Sequence, residues 1–416
     1  MFEQIAHITH PKRHDPAPVR RAAKTMAHAE RVLTELVNKI ITERKYDEPI
    51  AKLNPIVTSG ANYTSQLFGV TISGKDKPDL NLFAKVAVFG EKIRTQGLDS
   101  LFKSEQYFYT KIKKIYRDLE DKHNIPDEHR FEIPEFYGCN ETKYEEVIVI
   151  EDLTARGFRI SDRLKGLNWE FAASAVTELA KFHALGFAYS AEDPKKFEES
   201  CKPLKAIFTT KDDKMKVLSK SIADKAIAAA SIDHKEVMKK FLVNFSLDMF
   251  EMYNKPLHRP VLTHNDFRVS NLMEKIDERG RTHVRIVDYQ TIRGGSPVID
   301  LLYFIFSSTD EQFRAQYYDQ LLDHYYTELS LAMKRLDLNP DEIYSREDFE
   351  IEYKTKLPFG LSLAVFVLPI VTIDENNAPK LNDEMDMSSF VMNNTSDLFP
   401  ERLNGIISDY IRWGVL

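Results

Sequence analysis

Cysteine is scarce in this chain: Cys139 and Cys201 are the only two in 416 residues. That is too few for a disulfide framework and suits a reducing compartment. Charge of one sign is concentrated nowhere. The formal balance is −7, from 57 basic and 64 acidic residues, which removes the basic footprint expected of a nucleic-acid binder. The N-terminus, MFEQIAHITHPKRHD, has no apolar core of a secretory signal, and the early Glu3 and Asp15 argue against a transit peptide. Long hydrophobic runs are missing too. The longest uncharged stretch, residues 357–373, falls short of the roughly 20 apolar residues of a membrane span and carries Pro358, Gly360 and Pro369. It reads as a buried, interrupted helix. No internal repeat or low-complexity tract is present. These absences leave a cytoplasmic globular protein with no membrane or nucleic-acid partner.

A chain of this length exceeds what one hydrophobic core usually serves, so two lobes are expected. Residues 17–44 carry apolar side chains at helical spacing, from Val19 and Met26 to Ile40. The period then shortens. Ile56-Val57, Leu67 to Ile72 and Leu82 to Val88 read as strands, followed by a helix over about 99–120 and strands at Phe136-Tyr137 and Val147 to Ile150. After Asp152 the pattern is helical at 168–186, 203–254 and 310–336, with one β-island at 261–292. The expected organisation is α+β: residues 1–152 form an N-terminal helix and a β-rich lobe, and 153–416 a mainly helical lobe with an embedded hairpin. A linker near 151–160 joins them.

The β-island holds the most chemical stretch of the chain, THNDFRVSN (263–271). Two apolar runs, Leu272 to Ile276 and Val284 to Val287, flank the turn-like DERGRTH. If they pair with Arg279-Gly280 at the turn, Asn271 and Asp288 stand directly opposite each other. An amide carbonyl and a carboxylate at that spacing are hard oxygen ligands suited to Mg²⁺. Asp266 would lie on the loop leading into the same place, where a carboxylate can orient a hydroxyl and accept its proton. On its own, D-x4-N is better explained by the preference of Asp and Asn for loop ends; the hairpin and Asp288 bring the two readings level.

The first lobe supplies what a phosphotransferase of this kind needs. Lys85 in LFAKV is a lone cation on an apolar strand and wants an anionic partner. Glu105, twenty residues on in LFKSEQYFY, lies on the following helix. Between two strands, TSGANYTSQLFGV (58–70) offers Ser59 and Gly60 for phosphate contacts, although its single glycine fits a plain hairpin turn equally well. VIVIEDL (147–153) runs into the linker, where an adenine would meet backbone groups of Glu151 and Leu153. Loop, strand lysine, helix glutamate and the Asp–Asn–Asp cluster fall in the order of a kinase-fold phosphotransferase using ATP and Mg²⁺.

With these residues in view, the chain resembles the ecdysteroid kinase-like family of small-molecule kinases, which shares a protein-kinase-like bilobal fold with choline kinases and aminoglycoside phosphotransferases. The resemblance covers roughly residues 50–330. It rests on SGANYTS (59–65), FAKV, FKSEQYFY, VIEDLTARGF (149–158), LTHNDFRVSNLM (262–273) and VDYQTIRGGSPVIDLLYFIF (287–306). It implies Asp266 as catalytic carboxylate, Asn271 and Asp288 as magnesium ligands, and Asp300 as a brace for the catalytic loop. His264 then supports the loop and is no base. Two positions depart from the family pattern: Asn265 stands where glycine is frequent, and Arg268 where an aromatic is common. The implied activity is phosphorylation of a small-molecule alcohol, an ecdysteroid or another lipophilic one. A choline- or aminoglycoside-type kinase is the enzymatic alternative, and a pseudokinase that binds without transfer is the non-enzymatic one.

Overall fold

The computed structural model describes residues 16–56, 65–88, 90–95, 97, 99–204, 213–373 and 396–416. Helix α1 (Pro16–Glu43) leads into strands β1 (Ile50–Ile56), β2 (Ser65–Ser73) and β3 (Leu80–Ala87). Three helices follow, α2 (Glu91–Thr95), α3 (Ser100–Tyr107) and α4 (Lys113–Lys122), the last two joined through a π-turn at Phe108–Ile112. Strands β4 (Phe136–Asn140) and β5 (Val147–Glu151) complete an antiparallel sheet in the order β1-β2-β3-β5-β4.

Both faces of this sheet are covered, and strand alternation decides which side chain goes where. Leu82, Ala84 and Val86 of β3 join Val147 and Val149 of β5 beneath the apolar stripe of α1, Ala29, Val32, Leu33, Leu36, Val37 and Ile40. The residues between them, Ile148 and Ile150 with Phe83, turn to the other face, against Phe102 and Phe108. Lys85 falls on that second face. Strand β1 begins at Ile50, six residues earlier than the sequence suggests. Its side chains are mostly exposed, so it has no apolar alternation to read, and its Pro55 is tolerated at the sheet edge.

The helical part opens with β6 (Arg159–Ile160) and α5 (Trp169–Glu192), which is buried over most of its length. Helix α6 (Pro194–Cys201) follows, and among the described residues the continuous helical pattern expected at 203–254 is instead three helices: α7 (Asp213–Ala229), α8 (Lys235–Phe241) and α9 (Met249–Asn254). The breaks fall at Ser231–Asp233 and Ser246–Asp248, where Ser and Asp compete for backbone hydrogen bonds. Strands β7 (Val261–Thr263), β8 (Leu272–Ile276), β9 (Thr282–Ile286) and β10 (Arg293–Gly295) come next, β8–β9 forming the hairpin, with β6 alongside β8. Gly186 lets α5 approach β7, since a Cβ there would come within 2.9 Å of Val261.

Five helices follow among the described residues: α10 (Val298–Ser308), α11 (Glu311–Arg335), α12 (Pro340–Ile343), α13 (Arg346–Val371) and α14 (Leu398–Arg412). All of α10 is buried. The uncharged stretch at 357–373 is not interrupted: α13 runs through Pro358 and Pro369, started by a capping box between Ser345 and Asp348. It is long and apolar enough to cross a membrane, but 72% of its most apolar window is buried inside the protein. Packing on α10 makes up for the backbone bonds each proline removes. The architecture is α+β and bilobal, of the protein-kinase-like type, with a sheet-rich first part and a helical second part.

Candidate functional site

Lys85 and Glu105 meet because a strand and a helix each present one face. Lys85 shares its face of β3 with Phe83, and Glu105 sits three residues after Phe102, the helix residue packed under that face. The Lys85 ammonium donates to both Glu105 oxygens, at 3.0 and 2.8 Å, and to Asp288 Oδ1 at 2.6 Å. One lysine therefore ties the sheet, the helix and the end of the hairpin. Burial lowers the affinity of the ammonium for its proton, yet Asp288 and Glu105 outweigh that and hold its pKa above the usual lysine value. Burial pushes the Glu105 carboxyl up to about 7, against the pull of Lys85. Asp288 stays below the ordinary carboxylate value despite its burial, because Lys85 faces it. Removing ions from water costs several kcal/mol each, so such a cluster is a poor way to gain stability and is a candidate functional site.

The hairpin is offset by one residue from the expected register. Leu272 pairs with Ile286 and Ile276 with Thr282, so Asn271 faces Val287, whose N–H donates to the Asn271 carbonyl at 3.0 Å. The loop has three residues rather than two, with Gly280 at φ 75° closing onto Asp277, and that extra residue shifts the pairing. Asp288 is thus one position beyond Asn271's partner. It leaves the strand with φ 70°, a left-handed conformation that aspartate tolerates better than most residues. Its second oxygen accepts from Gln290 Nε2 at 3.3 Å.

Asp266 and Asn271 are directly bonded. The Asn271 amide donates to the Asp266 carbonyl and to its Oδ2, both at 2.8 Å. Arg268 Nε donates to Oδ1 at 2.8 Å, and the Tyr303 hydroxyl also reaches this carboxylate. The loop carrying them hangs on Asp300, which is fully buried and accepts from the backbone N–H groups of His264 and Asn265, each at 2.7 Å. His183 on α5 completes the brace. Its Nε2 lies 3.0 Å from the same carboxylate, which can only accept, so Nε2 carries the proton and Nδ1 is left for the Tyr325 hydroxyl at 2.7 Å. His264 likewise donates Nε2–H to the Val287 carbonyl at 3.1 Å, a loop-to-strand tie. Asn265 takes φ 58°, which glycine adopts freely and asparagine at small cost, so this departure from the family pattern leaves the loop intact.

Glu151 and Leu153 lie at the linker. The Glu151 N–H donates to the Glu135 carbonyl, and the Leu153 carbonyl accepts from Phe158 N–H. The Leu153 side chain packs with Phe158, Met273 and Val287, a small apolar cluster whose last two members flank Asn271 and Asp288 along the hairpin. Ser59 and Gly60 lie outside the described residues. The structure brings Lys85, Glu105 and Asp288 together, and Asp266 with Asn271, where the sequence reading expects Lys85 with Glu105 and Asn271 opposite Asp288. That reading misses His183, Tyr303, Phe158 and Met273. Only His183 left a trace, a lone polar residue in the apolar run KFHALGFAY (181–189).

Among the described residues no three His, Cys, Asp or Glu side chains cluster as a metal cage. One amide and one carboxylate beside a basic residue do fit a hard divalent cation that brings its remaining oxygen ligands with a phosphate substrate.

The ecdysteroid kinase-like family matches residues 59–338, about two thirds of the chain. Among solved structures, a Plasmodium vivax ethanolamine kinase aligns over 88% of this chain and 83% of its own, at 10% identity and a TM-score of 0.43. A GDP complex of an aminoglycoside 2'-phosphotransferase-IIIa mutant covers 79% of this chain and 95% of its own, at 15% identity and a TM-score of 0.40. A glucosamine kinase bound to glucosamine, ADP and inorganic phosphate covers 80% and 79%, at 14% and 0.33. No curated protein matches the chain in sequence.

Proposed function

The chain belongs to the ecdysteroid kinase-like family, a family of small-molecule kinases, and from that premise we propose that it transfers the γ-phosphoryl group of ATP to a hydroxyl of an uncharged, lipophilic small molecule, such as an ecdysteroid. The observation that carries this reading is the Lys85 ammonium bridging Glu105 and Asp288 while Asn271 clasps Asp266. Lys85 is the one cation in a cluster with two carboxylates, and it is placed to turn from Asp288 to the nucleotide phosphates while Glu105 keeps it oriented. Asn271 and Asp288 would hold Mg²⁺, which supplies charge neutralisation for the phosphates. Leu153, Phe158, Met273 and Val287 offer an apolar seat for the base beside the linker. In this reading residues 1–152 are the nucleotide lobe and 153–416 carry the catalytic hairpin and the acceptor site. The two free thiols suit a cytoplasmic setting.

Asp266 acts on the acceptor. Its carboxylate orients the hydroxyl and takes its proton, a contribution typically worth ~10²–10⁴-fold in rate. Asp266→Asn keeps the volume and removes the base. The expected result is a fall in turnover of that size with MgATP affinity unchanged by calorimetry. The assay is a screen with labelled ATP over ecdysteroids, choline, an aminoglycoside and plant glycosides. Turnover of choline or the aminoglycoside alone would overturn the acceptor class. MgATP binding without transfer to any acceptor, unchanged by Asp266→Asn, would make the protein a pseudokinase.

A further inference from the structure

Arg268 stands two residues beyond Asp266, on the side where the proposed reading puts the acceptor. Its side chain is 18% exposed and donates through Nε alone to Asp266 Oδ1. Its two Nη groups, four N–H donors, have no partner among the described residues, and neither is sealed from solvent. The Asn271 amide and the Tyr303 hydroxyl are the other side-chain groups on the Asp266 carboxylate. A bare carboxylate at the acceptor end would attract ammonium groups. Here a permanently charged guanidinium neutralises it and keeps its two Nη groups available beside it.

We propose that Arg268 is the specificity-determining residue of the acceptor subsite, a charge filter that turns away alcohols bearing an ammonium group and admits uncharged ones. This rests on the kinase reading above and names its substrate class more narrowly. The chemistry is common to both kinds of acceptor. A bond forms from the acceptor oxygen to the γ-phosphorus, the bond from that phosphorus to the β,γ-bridging oxygen breaks to release ADP, and the hydroxyl proton passes to Asp266. Only the charge near the hydroxyl differs. Two unit charges about 5 Å apart at an effective dielectric near 20 alter binding on the order of a hundredfold. In the intact protein Asp266 offsets part of this, so the expected preference is about tenfold.

The test uses choline and its uncharged isostere 3,3-dimethylbutan-1-ol, which share shape and hydroxyl. The measurement is the ratio of their kcat/KM values with MgATP in the wild type, Arg268→Met and Arg268→Lys. The wild type should favour the neutral alcohol by about tenfold. Arg268→Met, which leaves Asp266 uncompensated, should shift the ratio towards choline on the order of a hundredfold, and Arg268→Lys should keep the wild-type preference. If Arg268 merely holds Asp266 in place, both acceptors suffer alike and the ratio stays fixed, which overturns the proposal. So does a wild type that prefers choline, or one that binds MgATP and transfers to neither alcohol. A wild type that fails to bind MgATP in calorimetry brings down the kinase reading itself and is told apart by that measurement.

Discussion

The two parts of the molecule assemble their shares of the site by different means. In the sheet-rich part, one strand and one helix bring the pair together: β3 alternates, α3 turns, and Lys85 and Glu105 meet, with Asp288 a further contact of Lys85. In the helical part, Asp266 and Asn271 sit on an irregular loop whose shape depends on a buried carboxylate from α10 and a histidine from α5. Regular structure positions side chains through its own period, whereas irregular backbone must be bound at each N–H to hold one shape. The first part can therefore lose its charges and keep its fold. The second cannot lose Asp300 and keep its loop.

The sharpest break is expected at the junction. Asp288→Ala removes the carboxylate that faces both Lys85 and the proposed metal, and turnover should fall to background together with most Mg²⁺-dependent nucleotide binding. Unchanged turnover would remove Asp288 from the site. Next comes Asp300→Ala, which leaves two backbone N–H groups buried without acceptors at ~1–3 kcal/mol each, so urea unfolding should show a loss of at least about 2 kcal/mol. The double variant Lys85→Met/Glu105→Met, tested alongside, should cost far less stability, because it replaces both members of a buried ion pair whose desolvation the fold had to overcome. Equal losses would erase the contrast.

A smaller effect concerns the pair itself. Lys85→Ala and Glu105→Ala should each weaken ATP use, and the double variant should cost less than the sum by ~0.5–3 kcal/mol in a kinetic cycle. Strict additivity would separate the two residues. The smallest effect lies where the parts touch at the far end of α4. His123 is held between Glu192 Oε1 at 2.6 Å and Asp337 Oδ2 at 2.8 Å, with Lys122 also on Glu192. Burial disfavours the imidazolium, but the two carboxylates outweigh it and raise the pKa. A raised folded-state value gives stability that is fully present below the unfolded pKa of ~6.5 and is lost as pH climbs through the folded one. His123→Gln should thus cost up to about 1 kcal/mol at pH 5.5 and nothing measurable at pH 9. A cost independent of pH would assign His123 to packing alone.

The same division governs how much the sequence disclosed. Helix and strand periods reveal Lys85, Glu105, the hairpin and the two-lobed order, because each is a local pattern with a local cause. The register slipped by one because DERGRTH does not say whether Gly280 closes a two- or a three-residue loop. His183 lies 81 residues before His264, on which it acts through Asp300, and Tyr303 lies 37 residues after Asp266, on which it acts directly, separations that no local pattern encodes. The break of 203–254 into three helices among the described residues was hidden for the opposite reason: the apolar spacing continues across Ser- and Asp-containing joints that interrupt the backbone. Pro358 and Pro369 misled because composition weighs a proline by its propensity, while burial in α13 overrides it.

Lys85 and Asp288 are 203 positions apart, and His183 and Asp300 are 117 apart. The β2–β3 and β8–β9 hairpins, by contrast, close over short loops. During refolding the hairpins and helices have little loop entropy to overcome, while the site joins distant stretches and comes last. In the proposed reading nucleotide binding would then be a late reporter: it would register the docking of the two parts, after secondary structure has already returned.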